Sequence, residues 1–218
     1  MPTTFGDVVA RCLDLVDRRD ARTEPALREL VVLNLRRLSS HRMPWGESSF
    51  SFGVTVAGAV EYVRGDGKLP ADFLLALDVW PVSSSTGERS EGRLELMASG
   101  EAKTRRDGRV VGYSHWKYGL RFAGEVTVGD EFEVDYLRDG MIDAAGARIT
   151  SSSDLSTNDW LDQADDLIRL MTLRDYYLGV QADAERAQLW GAVADETLEH
   201  FRGLRGAGQG YVVPEAIF

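Results

Sequence analysis

The chain has 218 residues, 44% of them hydrophobic and 28% charged, which is enough to bury a substantial core and too apolar for wholesale disorder. Its formal net charge of −10, from 35 acidic against 25 basic residues, argues against a surface built to grip nucleic-acid phosphates. A single cysteine, Cys12, leaves no intrachain disulfide, and no apolar run approaches the ~20 residues a membrane-spanning helix needs.

The opening residues Met1 to Asp7 carry neither a basic segment nor an apolar one, so synthesis in a reducing host cytoplasm is expected. Thr4 is placed to cap a first helix, with Asp7 favourably near its positive end. Phe5, Val8, Val9, Cys12, Leu15 and Val16 follow at helical spacing, and Cys12 reads as a small buried hydrophobe. Thr23-Glu24-Pro25 starts a second helix, with Thr23 as N-cap and the proline in the first turn, where its missing N–H is harmless. In that helix Leu30, Val31, Val32 and Leu33 are apolar on every side. Either neighbouring helices or a second subunit must cover them, and all four are candidate subunit-interface residues.

From Ser39 the pattern changes to period two. Phe50, Phe52, Val54 and Val56 form a half-buried strand, and Tyr62-Val63 belongs to another. A run from Phe73 to Trp80 is expected to end at Pro81. Residues 83–92 read as loop, and Lys103 to Arg106 as a solvated hairpin or loop end. Trp116, Tyr118, Leu120 and Phe122, then Phe132, Val134 and Tyr136 across a turn at Gly129-Asp130, suggest a hairpin. Asn158 is an N-cap for a third helix carrying Trp160, Ala164, Leu167, Ile168, Met171 and Leu178, which Gly179 stops. Asp162, Asp165 and Asp166 lie opposite that stripe as a solvated acidic face. Asp175 falls within the stripe and calls for a basic partner.

The last helix has two stripes. One is a close repeat of Ala184, Ala187, Gly191, Ala194, Leu198 and Phe201; beside it run Trp190, Val193, Thr197 and Leu204. Two stripes imply two partners, so Trp190, Val193 and Leu204 join the interface candidates. A glycine-rich stretch then precedes Tyr211-Val212-Val213-Pro214-Glu215-Ala216-Ile217-Phe218. Such a hinged apolar peptide suits docking on a partner, through Tyr211, Val212, Val213, Pro214, Ile217 and Phe218. The expected class is α+β: a helical bundle made by residues 1–40 and 151–204, an inserted antiparallel β-rich subdomain at 41–150, and a docking tail at 205–218.

Catalytic chemistry finds little purchase. Glu196 and His200 sit one helical turn apart, but no third metal ligand is evident. Gly206-Ala207-Gly208-Gln209-Gly210 follows a helix and opens none, unlike a dinucleotide loop. Asp154, Asn158 and Asp159 lack the spacing of a calcium loop. No nucleophile elbow or phosphate loop occurs, and no catalytic residue, metal or cofactor is expected.

With these residues in view, the chain resembles the head-to-tail adaptor (head-completion or connector) proteins of tailed bacteriophages, including tail accessory factors. The resemblance rests on Thr4 to Asp7 opening a helix, Trp45-Gly46-Glu47 turning into a strand, and Tyr62 with Leu69-Pro70-Ala71-Asp72-Phe73. It extends to Asn158-Asp159-Trp160 opening a helix that continues through Asp166-Leu167-Ile168, followed by a long final helix. An extra Gly65-Asp66-Gly67 turn separates the tyrosine from Leu69-Pro70.

The resemblance implies a non-enzymatic virion neck protein: a homo-oligomeric ring, usually of twelve copies, binding the portal protein above and a tail or stopper protein below. DNA would pass through its channel without specific binding, repelled by copies carrying −10 each. The competing expectations are another virion part, such as a stopper, tail terminator or baseplate protein, and a cytoplasmic α+β ligand-binding protein or enzyme.

Overall fold

The computed structural model describes residues 2–203 except Arg18, Asp66, Ser84, Ser85, Glu91 and residues 105–107. The protein is of mixed α+β class and forms two compact units, which divide at Gly46/Glu47 and again at Asp139/Gly140.

The first unit holds the helices α1 (Phe5–Leu15), α2 (Thr23–Ser39), α4 (Asp159–Gln163), α5 (Asp165–Gly179) and α6 (Ala184–Gly203). Helix α1 starts with a reciprocal capping box. The Asp7 N–H donates to Thr4 Oγ1 at 3.1 Å, and the Thr4 N–H donates to Asp7 Oδ2 at 2.9 Å. The Thr4 N–H, and then the Thr4 hydroxyl, both donating to Asp7 Oδ2, hold the Asp7 carboxyl below its ordinary pKa. The cap expected at Thr23 is displaced. Thr23 is the first helical residue of α2, Arg22 occupies the N-cap position, and no side chain caps the helix. The Thr23 hydroxyl instead lies buried, accepting from the Asp20 N–H at 3.1 Å and standing 3.2 Å from the Tyr176 hydroxyl, so the turn before the helix and a tertiary contact share the group expected to cap it.

Asn158 caps α4 as its sequence position suggests, accepting from the Leu161 N–H at 2.9 Å while its amide donates to the Gly140 and Ile142 carbonyls. The third helix is broken, however. Ala164 leaves helical geometry (φ −117°, ψ 17°), so α4 ends and α5 begins one residue later. One continuous core unites these elements, with Phe5, Cys12, Leu27, Leu35, Leu38, Trp160, Leu167 and Tyr176 buried in it. Burial pushes the Cys12 thiol up to about 12, which keeps it a neutral packing group.

Trp160 has a further part. A Cβ added to Gly46 would lie 2.6 Å from its Cζ2, and one added to Gly140 would lie 3.0 Å from its Cδ1. The points where the chain leaves and re-enters this unit therefore both abut one indole.

The second unit, Glu47–Asp139, contains two sheets. One has the order β1-β7-β3, from Glu47–Gly53, Glu131–Arg138 and Phe73–Val82. The other has the order β2-β6-β5-β4, from Glu61–Val63, Gly119–Ala123, Gly112–His115 and Glu95–Leu96. These strands pair antiparallel except β4 with β5, which run parallel. Residues of both sheets share one core, rich in rings: Phe52, Tyr62, Phe73, Phe122, Phe132 and Tyr136. Phe122 stacks on Phe132 with centroids 4.4 Å apart.

Three expectations change here. Residues 116–122 and 132–136 do not form a hairpin: β6 and β7 belong to different sheets. Leu120 and Phe122 on one strand and Phe132, Val134 and Tyr136 on the other face the same core, which gives both the period-two signal, while Tyr118 stands exposed. The actual hairpin joins β5 to β6 through Lys117-Tyr118, both left-handed (φ 46° and 57°), closed by the Trp116 N–H donating to the Gly119 carbonyl at 3.0 Å. Second, Pro81 does not end its strand. β3 lies at a sheet edge, where a missing N–H is tolerated, and the Pro81 carbonyl accepts from the Ser90 N–H at 2.8 Å. Third, Lys103 and Thr104 end a short helix, α3 (Ser99–Thr104), where a loop was expected. Ala102 of α3 packs with Met97 and Ala123, which explains why β6 is buried on both faces.

Candidate interaction surface

Helices α5 and α6 lie against each other through Ala187, Gly191 and Ala194, whose small side chains let the helices approach closely. At Gly191 the Arg174 side chain crosses, with its Cδ 3.3 Å from where a Cβ would stand. The small-residue stripe of α6 therefore meets a partner within its own unit.

The other candidates divide sharply. Val31 is fully buried inside the first unit, and Leu30, Val32 and Trp190 are partly buried against the same core. Within one copy these four already have neighbours. Leu33 and Val193 remain in solvent, at 36% and 40% exposure. Leu204 lies outside the described residues, as do Tyr211, Val212, Val213, Pro214, Ile217 and Phe218.

Two residues with strong surface character escaped the sequence reading. Leu178 was counted with the core stripe of the third helix but is 60% exposed, and Leu189, on neither stripe of α6, is 62% exposed. The signal for Leu189 was its place one turn before Val193, on the same helical row. Leu178 lies at the end of α5, beyond the reach of the core that covers Leu167 and Leu173. Val180, just past it, is exposed as well.

Between α5 and α6 runs a shallow groove of about 450 Å³, lined by Arg174 and Leu178 on one side and by Ala184, Gln188, Ala192 and Asp195 on the other. Arg174 donates to Asp175, and Asp175 also accepts from Arg37 of α2 at 2.7 Å, the basic partner that its place in the apolar stripe called for. Arg186 of α6 pairs with Asp17 and lies over the Tyr177 ring, 5.4 Å from its centroid.

The end of α6 is anchored by rings. Phe201 meets Trp45 edge-on with centroids 5.0 Å apart, and Trp45 meets Trp160 at 6.1 Å. Beside them Arg202 approaches His41 Nδ1 at 3.5 Å. Burial, and then the charge of Arg202, lower the pKa of His41 below the ordinary histidine value.

The acidic face expected on the third helix is largely engaged. Asp162 accepts from the Thr3 N–H at 3.0 Å, Asp165 pairs with Arg11 and Asp166 with Arg169. The start of α1 packs near α4 and α5, so Asp162 and Asp165 meet donors from outside their own helices, while Asp166 pairs within α5. Glu196 and His200 are both exposed on α6, and among the described residues no three His, Cys, Asp or Glu side chains cluster as metal ligands. No helix among the described residues is long and apolar enough to cross a membrane.

No protein-family model matches the chain, and no curated protein sequence matches it.

Proposed function

We propose that the protein is a structural, non-enzymatic component of a bacteriophage virion: a head-to-tail adaptor that forms a ring beneath the portal, extends the DNA channel and joins the capsid to the tail. The observation that carries this reading is the apolar surface that one copy leaves uncovered on its helical unit, at Leu178, Val180, Leu189 and Val193. Apolar side chains exposed on α6 and at the end of α5 have a physical reason to be there when other subunits cover them.

The finer architecture belongs to the same proposal. The helices before Gly46 and after Gly140 act as one bundle, and the β-rich residues between are an insertion carried by it. In this reading the bundle makes contacts between subunits, and the peptide Tyr211–Phe218 docks on the portal. The acidic balance suits a channel that DNA must traverse without sticking.

Electron microscopy of the purified full chain, alone and mixed with portal rings of the same phage, tests this directly. The expected images show rings with a central channel, stacked on the portal. A chain lacking residues 211–218 should keep its circular dichroism spectrum and lose the stacking. Particles that neither close into rings nor bind the portal would remove the proposal.

A further inference from the structure

We propose that β1 is a self-association strand: the β1 edges of two copies pair antiparallel about a two-fold axis at Phe50, joining their two three-stranded sheets into one. The occupant of the edge is a second copy of this chain, and the inference does not rest on the adaptor reading.

The ladder decides which backbone groups of β1 lack a partner. The Val54 N–H donates to the Asp130 carbonyl at 2.8 Å, in step with the pairs Phe52 with Phe132 and Phe50 with Val134. Hydrogen-bonded and non-hydrogen-bonded pairs alternate in an antiparallel ladder, so the even positions of β1 bond to β7 and the odd ones point away from it. Ser49, Ser51 and Gly53 therefore present their N–H and C=O groups at the sheet edge. All three residues are exposed, and none has a backbone partner on that side among the described residues.

The same sheet protects its other edge. β3 carries Pro81 and two register shifts, and its Val79 and Pro81 carbonyls accept from the Leu94 and Ser90 N–H groups at 2.9 and 2.8 Å. In the second sheet the edge strands β2 and β4 are only 3 and 2 residues long. By contrast β1 runs 7 residues in unbroken register with β7 and holds no proline, lysine or bulge. An edge of that kind is a template for another strand.

What fits it is its own sequence. With the axis at Phe50, Ser49 pairs with Ser51 of the other copy and Gly53 with Glu47, each twice over, so every outward position of the strand is matched. An axis at Ser49 or Ser51 leaves Gly53 or Glu47 overhanging. In the Phe50 register the one charged side chain of β1 meets a residue that has none, so no like charges oppose. On the core side Phe50 faces its own counterpart. Its ring is only partly buried, against Phe73 and Tyr136, and the second ring covers what they leave open. One strand pair is smaller than a permanent interface needs, so the contact is reversible. A two-fold contact has no place between neighbours in a cyclic ring; it joins free copies, or one ring to another.

The test uses the full chain, unaltered and as Ser51→Pro, Ser51→Thr, Ser49→Cys and Ser51→Cys. Proline is tolerated at an edge position whose N–H faces solvent, so circular dichroism and thermal unfolding of Ser51→Pro should match the unaltered chain. Sedimentation across a concentration series should show the unaltered and Ser51→Thr chains pairing. Ser51→Pro should pair roughly tenfold more weakly or worse, since it deletes a donor on each side of the axis. Disulfide formation reads the register. Residues 49 and 51 of opposite copies would stand about 5.5 Å apart between Cα atoms, within reach of a disulfide; like residues would stand about 9 Å apart, beyond it. An equimolar mixture of Ser49→Cys and Ser51→Cys should therefore cross-link under mild oxidation, and neither variant alone should. Cys12 is buried and takes no part. An unaltered chain that stays monomeric throughout, or cross-linking by one variant alone as fast as by the mixture, overturns the contact. Ser51→Pro chains that pair as tightly as the unaltered chain, yet still form rings on the portal, would remove this contact and keep the adaptor reading. Chains that pair in this register and never bind the portal would do the reverse.

Discussion

Phe201 sets its ring edge-on against Trp45, 5.0 Å between centroids, and so fastens the last turn of α6 to the turn that ends the N-terminal segment of the helical unit. Phe201→Ala removes this aromatic pair from a half-buried position. The expected loss is about 1–2 kcal/mol in chemical denaturation, less than truncating a fully buried phenylalanine. Amide exchange should speed up over residues 195–203 and leave α2 unchanged. Equal exchange in the two forms would show that the pair does not hold the helix end.

Asp175 is mostly buried and takes hydrogen bonds from two guanidinium groups, Arg37 and Arg174. Asp175→Asn leaves two cations facing each other and should cost about 2–3 kcal/mol by urea denaturation. Arg37→Met should cost less, because Arg174 still neutralises the carboxylate. If the two single variants prove equally costly, the pairing is not shared in this way.

Much of this was legible in advance, and for particular reasons. Asp175 called for a cation because it falls within the apolar stripe of Ile168 and Met171, where a carboxylate loses water and needs an opposite charge. Asn158 and Thr4 announced helix starts because short polar side chains there satisfy N–H groups that nothing else reaches. What stayed hidden was long-range. Alternation at 116–122 and 132–136 told that both segments face a core on one side, but it cannot tell which sheet each joins. The helix α3 is a single turn and a half held by Ala102 on β6, a contact no local pattern contains. The surface candidates were blurred by the same limit. Val31 and Leu33 look alike in sequence, yet one is buried and the other exposed, since only packing decides which side of α2 meets α5.

Lys117 and Tyr118 hold left-handed backbone that side chains with a Cβ disfavour, while the next residue, Gly119, has no room for one. Replacing Lys117-Tyr118 by Asn-Gly should raise stability by about 1 kcal/mol, the relief of the turn outweighing the lost stacking of Arg64 on Tyr118. Gly119→Ala should do the opposite, by about 2–4 kcal/mol, because its Cβ would stand 2.0 Å from the Tyr62 carbonyl oxygen. Thermal unfolding of both variants checks the pair of signs; a destabilised Asn-Gly variant would mean that the two side chains matter more than the turn.

His41 and His115 both have pKa values lowered from 6.5. Burial is the main cause in each, aided at His41 by Arg202 and partly offset at His115 by its hydrogen bond to the Ala76 carbonyl. Their neutral forms are the folded forms. Their contribution to stability is full above pH 6.5 and declines below it, where the unfolded chain takes up protons that the folded one still refuses. Denaturation midpoints measured from pH 7.5 down to about pH 5 should therefore fall, and less steeply after His41→Gln with His115→Gln. Parallel curves for the two proteins would assign the acid sensitivity to carboxylates alone.

Trp160 lies against the chain at Gly46 and again at Gly140, so the ninety-three residues of the second unit leave the first and return to it beside one indole ring. A side chain at position 46 or 140 would strike the indole itself, so bulk at either place would have to displace Trp160 from the core that its ring helps to fill.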